Sequence, residues 1–106
     1  MDIFPKFIIE TDEDYGNCLI LSKCTYHREL VTNKDNVKGG GIFRYDSENN
    51  TFILSGSSHE FGRSSFEDIK ECIENGNVFT NSALAFPITE KHKFSYDSGS
   101  EIISIK

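Results

Sequence analysis

The chain has few cysteines, few prolines, no long apolar run and a deficit of positive charge. Its 3 cysteines, Cys18, Cys24 and Cys72, are odd in number and form no CxxC pair. That argues against a disulfide framework and reads as buried or partly buried free thiols. A zinc site would have to recruit histidines, for instance Cys24 with His27 and His59, and no pair among these has the usual ligand spacing. No apolar stretch nears membrane-span length. The opening MDIFPKFIIE is too short and too acidic for a secretory signal, so a cytoplasmic location is expected. With 11 Lys and Arg against 17 Asp and Glu, the net charge is −6. This argues against the broad basic face that nucleic-acid or anionic-membrane binding needs. A small anion site remains compatible, because charges are screened over about 8 Å at physiological salt. Nucleotide-loop patterns are missing: there is no GxxxxGK[ST] and no GxGxxG. Repeats, linkers and low-complexity tracts are missing too, and no residue pattern asks for a cofactor or metal.

What is present fits one domain over residues 1–106, with a modest core. Lys6 to Thr11 reads as a first strand after Pro5, and Cys18 to Tyr26 as its hairpin partner across a charged turn. His27 to Asn36 loses the strand pattern, apart from one apolar contact at Leu30 and Val31 and a short helical turn. Ile42 to Asp46 and Thr51 to Ser55 flank the turn Ser47–Asn50, with Phe52 and Leu54 on one face and Ile53 on the other. Ser65 to Asn75 is the clearest helix. Ser64 with Glu67, or Ser65 with Asp68, gives its capping signature, and Gly76 suits the residue after its end. Phe66, Ile69, Cys72 and Ile73 form its apolar stripe. Val78-Phe79 is short and extended, and residues 81–90 read as loop anchored by Leu84 and Phe86. A terminal hairpin follows at about 93–105. The expected fold is α+β: a mainly antiparallel mixed sheet of about five to six strands, with one main helix on one face.

Several residues bear on chemistry. His27 stands where the chain leaves a strand, a good place for a general base. A single histidine is nonetheless a weak signal, and most such residues are plain surface histidines. The loop Ser57-Ser58-His59-Glu60 before the helix could present N–H groups to an anion; as a plain connection it would only cap the helix. His59 could bind a ligand or merely cover the helix start. Lys6, Arg28 and Arg63 are candidate positive charges for that loop. Gly39 to Gly41 suits a strand start or bulge where another backbone packs closely.

In order, Lys6 in PKFII, Tyr26-His27, Gly39-Gly40-Gly41, a hairpin, Gly56-x-Ser58-x-x-Phe61-Gly62 and a helix resemble the Janus/ocnus family, which includes small phosphohistidine phosphatases. The likeness spans roughly residues 5 to 75, and the hairpin at 93–105 lies outside it. It implies a metal- and cofactor-independent hydrolysis of phosphohistidine, on protein, or of a small phosphoramidate. His27 would be the general base on water. N–H groups around His27-Arg28 and from Ser58, His59 and Glu60 would hold the phosphoryl group, with the Ser58 hydroxyl, and Lys6 would neutralise it. The chain departs from the pattern at Ile42, where an arginine is usual, although Arg44 has the same strand parity. It departs again at Glu60, a carboxylate where a small residue is usual. Those departures motivate a second expectation: a non-catalytic phosphate- or partner-binding module on the same scaffold, or an inhibitory interaction protein.

Overall fold

The computed structural model describes residues 4–24, 26–80, 88–96 and 101–105. Strand β1 (Phe4–Asp12) turns back into β2 (Gly16–Cys24), and the two pair antiparallel from Phe4 opposite Cys24 to Asp12 opposite Gly16. Two 3-10 turns, His27–Leu30 and Lys34–Asn36, carry the chain to β3 (Val37–Asp46). Next come β4 (Thr51–Ser55), helix α1 (Phe66–Glu74), β5 (Val78–Thr80), β6 (Lys93–Tyr96) and β7 (Ile103–Ser104). All seven strands join one sheet in the order β5-β2-β1-β3-β4-β6-β7. The β2–β5 and β4–β6 pairs are parallel and the other four antiparallel.

The expected α+β fold with five to six strands is therefore corrected. Among the described residues the chain is mostly sheet, a seven-stranded mixed half-barrel with a single α-helix. The shortfall has a physical cause. β5 has three residues, too few to show an alternation, and is a strand only because β2 supplies its hydrogen bonds. β6 and β7 pair antiparallel as the two arms of the expected terminal hairpin. The segment after His27 stays in short 3-10 turns, so it adds no second α-helix layer.

Register sorts the side chains. Phe7, Ile9, Leu19, Leu21, Phe52, Leu54 and Phe94 point to one face and join Ile69, Cys72 and Ile73 of α1 in the core. The helix stripe read from the sequence is thus the buried one, with Phe66 partly buried at its start. Ser65, not Ser64, caps the helix: its Oγ accepts the Asp68 N–H at 3.1 Å. At the other end Gly76 adopts φ +75°. Its N–H donates to the Ile73 carbonyl, and that of Asn77 to Cys72, at 3.0 and 2.8 Å. The opposite sheet face carries Lys6, Ile8, Glu10, Ser22 and Ile42, and the segment 27–36 covers part of it. Ile8 is fully buried there, so β1 is covered on both sides.

Gly39 to Gly41 lie inside β3. The ladder to β1 passes from Ile9 opposite Gly39 to Glu10 opposite Val37, skipping Lys38 as a bulge. Among the described residues, no helix is long and apolar enough to cross a membrane. The anchors expected at Leu84 and Phe86, and the turn of the terminal hairpin, lie outside the described residues.

Candidate functional site

The triple glycine ties the site together through its backbone. A Cβ on Gly40 would come within 2.6 Å of the Phe7 carbonyl oxygen and 3.1 Å of His27 Cδ2. Glycine there lets the imidazole lie against the strand. His27 Nε2 then sits 2.7 Å from the Gly41 carbonyl oxygen. A carbonyl only accepts, so Nε2 carries the proton and Nδ1 keeps the lone pair. One residue away, the Gly40 N–H donates to the Gly62 carbonyl at 3.1 Å. The same carbonyl accepts the Ser58 N–H at 2.9 Å, and Gly62 N–H returns to the Ser58 carbonyl at 2.8 Å. The loop Ser58 to Gly62 is thus closed on itself and pinned to β3, the strand that also holds His27.

The result is one cleft of about 430 Å³ lined by Lys6, Tyr26, His27, Arg28, Ser57, Ser58, His59 and Glu60. All six residues assigned to the site from sequence, Lys6, His27, Arg28, Ser58, His59 and Glu60, face this one space. Tyr26, 54% exposed on the rim, belongs to the Tyr26-His27 motif, but no role in the site was expected of it. Nor was one expected of the Gly41 carbonyl, for which a sequence carries no signal.

Each group has a defined setting. Lys6 Nζ donates to the Cys24 carbonyl at 3.2 Å, which anchors it at the end of β2. The Arg28 guanidinium lies 4.5 Å from the centre of the Tyr26 ring. The first hydrogen bond of the turn after Tyr26 runs from Glu29 N–H to the Tyr26 carbonyl, at 3.1 Å. The N–H groups of His27 and Arg28 therefore precede it, as the opening donors of a helical turn do. Ser58 differs from expectation in one respect. It is buried, and its N–H is spent on Gly62, so it offers no backbone donor to a ligand. Its Oγ accepts from Phe61 N–H at 3.1 Å, which leaves the hydroxyl proton available. Among the described residues the N–H groups of His59 and Glu60 have no hydrogen-bond partner.

His27 is held below its ordinary pKa of 6.5. Burial is the main cause; the bond to Gly41 opposes it, Lys6 adds to the lowering, and Glu60 pushes the other way. The imidazole is therefore the neutral, basic form at neutral pH.

Two other candidates fall elsewhere. Arg63 Nη1 donates to the Gly56 carbonyl at 3.4 Å and its guanidinium lies over Tyr96, so it buttresses the loop from outside the cleft. Arg44 lines a separate, larger hollow of about 520 Å³ with Asp46, Ile53 and Lys93. It does not replace the arginine expected at Ile42, which pairs with Lys6 across the ladder and is 49% exposed. Cys24, His27 and His59 do not converge as zinc ligands: among the described residues no three His, Cys, Asp or Glu side chains gather to hold a metal. No family model matches the chain, and no curated protein matches it either.

Proposed function

We propose that this chain hydrolyses a phosphoramidate, either protein phosphohistidine or a small analogue, with His27 as general base. The observation that carries the reading is His27 itself: a neutral imidazole, fixed through Nε2, in a cleft also lined by Lys6, Arg28, His59 and Glu60. Water would attack phosphorus while Nδ1 of His27 takes its proton. The P–N bond breaks with its electron pair moving to the leaving nitrogen, which is protonated from solvent. Lys6, Arg28 and the N–H groups of His59 and Glu60 stabilise the charged equatorial oxygens. The order of motifs shared with the Janus/ocnus family supports the same assignment.

A second reading is a module that binds a phosphoryl group without turning it over. Glu60 favours it, because its carboxylate stands at the cleft and opposes a bound dianion. Phosphate release from phosphohistidine and from phosphoramidate distinguishes the two. Wild type should turn over, and His27→Ala should lose about 100-fold or more of kcat, the scale of a lost general base. Equal rates for the two proteins remove His27 from the mechanism. Saturable binding of a phosphohistidine peptide with no release by wild type establishes the binding module instead.

A further inference from the structure

A further cavity lies toward the other end of β1, where Glu10 stands about 13 Å along the strand from Lys6. It measures about 230 Å³ and is lined by Glu10, Asp12, Tyr15, Cys18, Ile20, Thr32 and Phe79. From this combination of buried carboxylate and open aromatic rings we infer that the cavity binds an alkylammonium group. The inference is independent of the phosphate cleft.

Register builds the pocket. Cys18 stands opposite Glu10, and Ile20 opposite both Ile8 and Phe79, so these side chains share the face that lacks the helix. The β1–β2 turn brings in Tyr15, whose ring centre is 6.2 Å from that of Phe79 at a tilt of 55°. Asn77 fixes the two walls relative to each other. Its Nδ2 donates to the Tyr15 carbonyl at 2.8 Å, and its own carbonyl accepts the Leu19 N–H at 2.9 Å. The cavity is therefore preformed.

Its chemistry selects a cation. Glu10 is only 9% exposed, and one of its oxygens accepts the Thr32 N–H at 2.8 Å. Among the described residues no lysine or arginine lines the cavity. The Thr32 N–H takes one oxygen of Glu10 and leaves the other to accept a charge-assisted hydrogen bond from a cation in the cavity. The rings explain why that cation should carry carbon. Tyr15 and Phe79 are 64% and 44% exposed, and such ring faces attract alkylated ammonium groups. Of the two carboxylates in the lining, Asp12 is turned to the β1–β2 turn through one oxygen, which accepts the Asp14 and Tyr15 N–H groups, and among the described residues no three ligating side chains gather for a metal ion. The volume suits a side-chain-sized group and falls short of drug-sized ligands. Such a group has two sources, a small free amine or a methylated lysine on another protein.

The test is NMR titration of the full chain with choline, with its neutral isostere 3,3-dimethylbutan-1-ol, and with trimethyllysine and unmodified lysine forms of one peptide. Choline should shift the amides of Glu10, Cys18 and Phe79 saturably while those of His27 and Ser58 stay fixed. The neutral isostere should leave all of them in place. Glu10→Gln, which keeps the acceptor for Thr32, and Phe79→Leu, at an exposed position, should each weaken binding about tenfold. Tighter binding of the trimethyllysine peptide than of choline makes a protein the source, and the reverse order makes it a free amine; either supports the site. Equal shifts with the neutral isostere, unchanged affinity in both variants, or no saturable shift with any cation would overturn it.

Discussion

At the scale of single residues, His27 shows how a few neighbours set a protonation state. Burial disfavours the imidazolium, Lys6 disfavours it further, and Glu60 together with the Gly41 carbonyl favours it. The signs give a test that needs no substrate. Followed by NMR, His27 should titrate below 6.5 in the wild type. Removing Lys6 with Lys6→Met removes a lowering influence, so the midpoint should rise. Removing the Glu60 charge with Glu60→Gln removes a raising influence, so it should fall. Turnover needs the neutral base, so its acid limb should move with the same midpoints. A Glu60→Gln midpoint that rises would mean the carboxylate faces away from the imidazole. The convergence of His27 with the loop was expected only through the resemblance to the Janus/ocnus family, because read one by one the histidine, the glycines and the small-residue loop are each weak signals. The spending of Ser58 N–H on Gly62 was not, because a five-residue loop closing on itself leaves no mark in residue type.

Among the elements, β3 couples fold and site most tightly. A Cβ on Gly41 would collide with the Ser55 carbonyl oxygen and come within 2.8 Å of Phe7 Cε1. Neither neighbour can yield easily, one being backbone and the other a fully buried ring. Gly41→Ala should therefore destabilise the fold by about 1–3 kcal/mol, as overpacking does. Urea unfolding measures that loss. Because Gly41 also holds the His27 proton, phosphate release should fall even under conditions where the variant is fully folded. Full activity in a folded Gly41→Ala would show that the carbonyl does not position the base. The same strand marks the limit of sequence reading. A run of glycines announces close packing, but which backbone packs there depends on register, and the register is shifted by a bulge at Lys38. The helix was read almost to the residue, since its stripe and cap are local. β5 read only as a short extended stretch, since a three-residue strand exists only through its partner β2, whereas β7 falls in the second arm of the expected terminal hairpin.

On the scale of the whole molecule, the terminal strands decide whether the half-barrel stands. They lie beyond the reach of the Janus/ocnus likeness, which makes them look like an appendage. Their packing says otherwise. Phe94 is fully buried and stacks on Phe52 with ring centres 5.4 Å apart, and Ile103 and Tyr96 are buried in the same core. The Tyr96 hydroxyl donates to the Ser64 carbonyl at 2.7 Å, which fixes the residue just before the cap of α1. β6 also covers the edge of β4 along four residue pairs. Deleting residues 93–106 would return three large side chains' worth of core to water, about 5–9 kcal/mol at roughly 1.5–3 kcal/mol each. A domain of this size has only about 5–15 kcal/mol in total. The truncated chain should therefore lose its near-ultraviolet circular dichroism and its cooperative urea transition. Phe94→Ala in the full chain should retain both, with stability reduced by about 3–5 kcal/mol. If the truncated chain unfolds cooperatively at the wild-type midpoint, the core is complete without β6 and β7, and the sheet that supports the His27 cleft ends at β4.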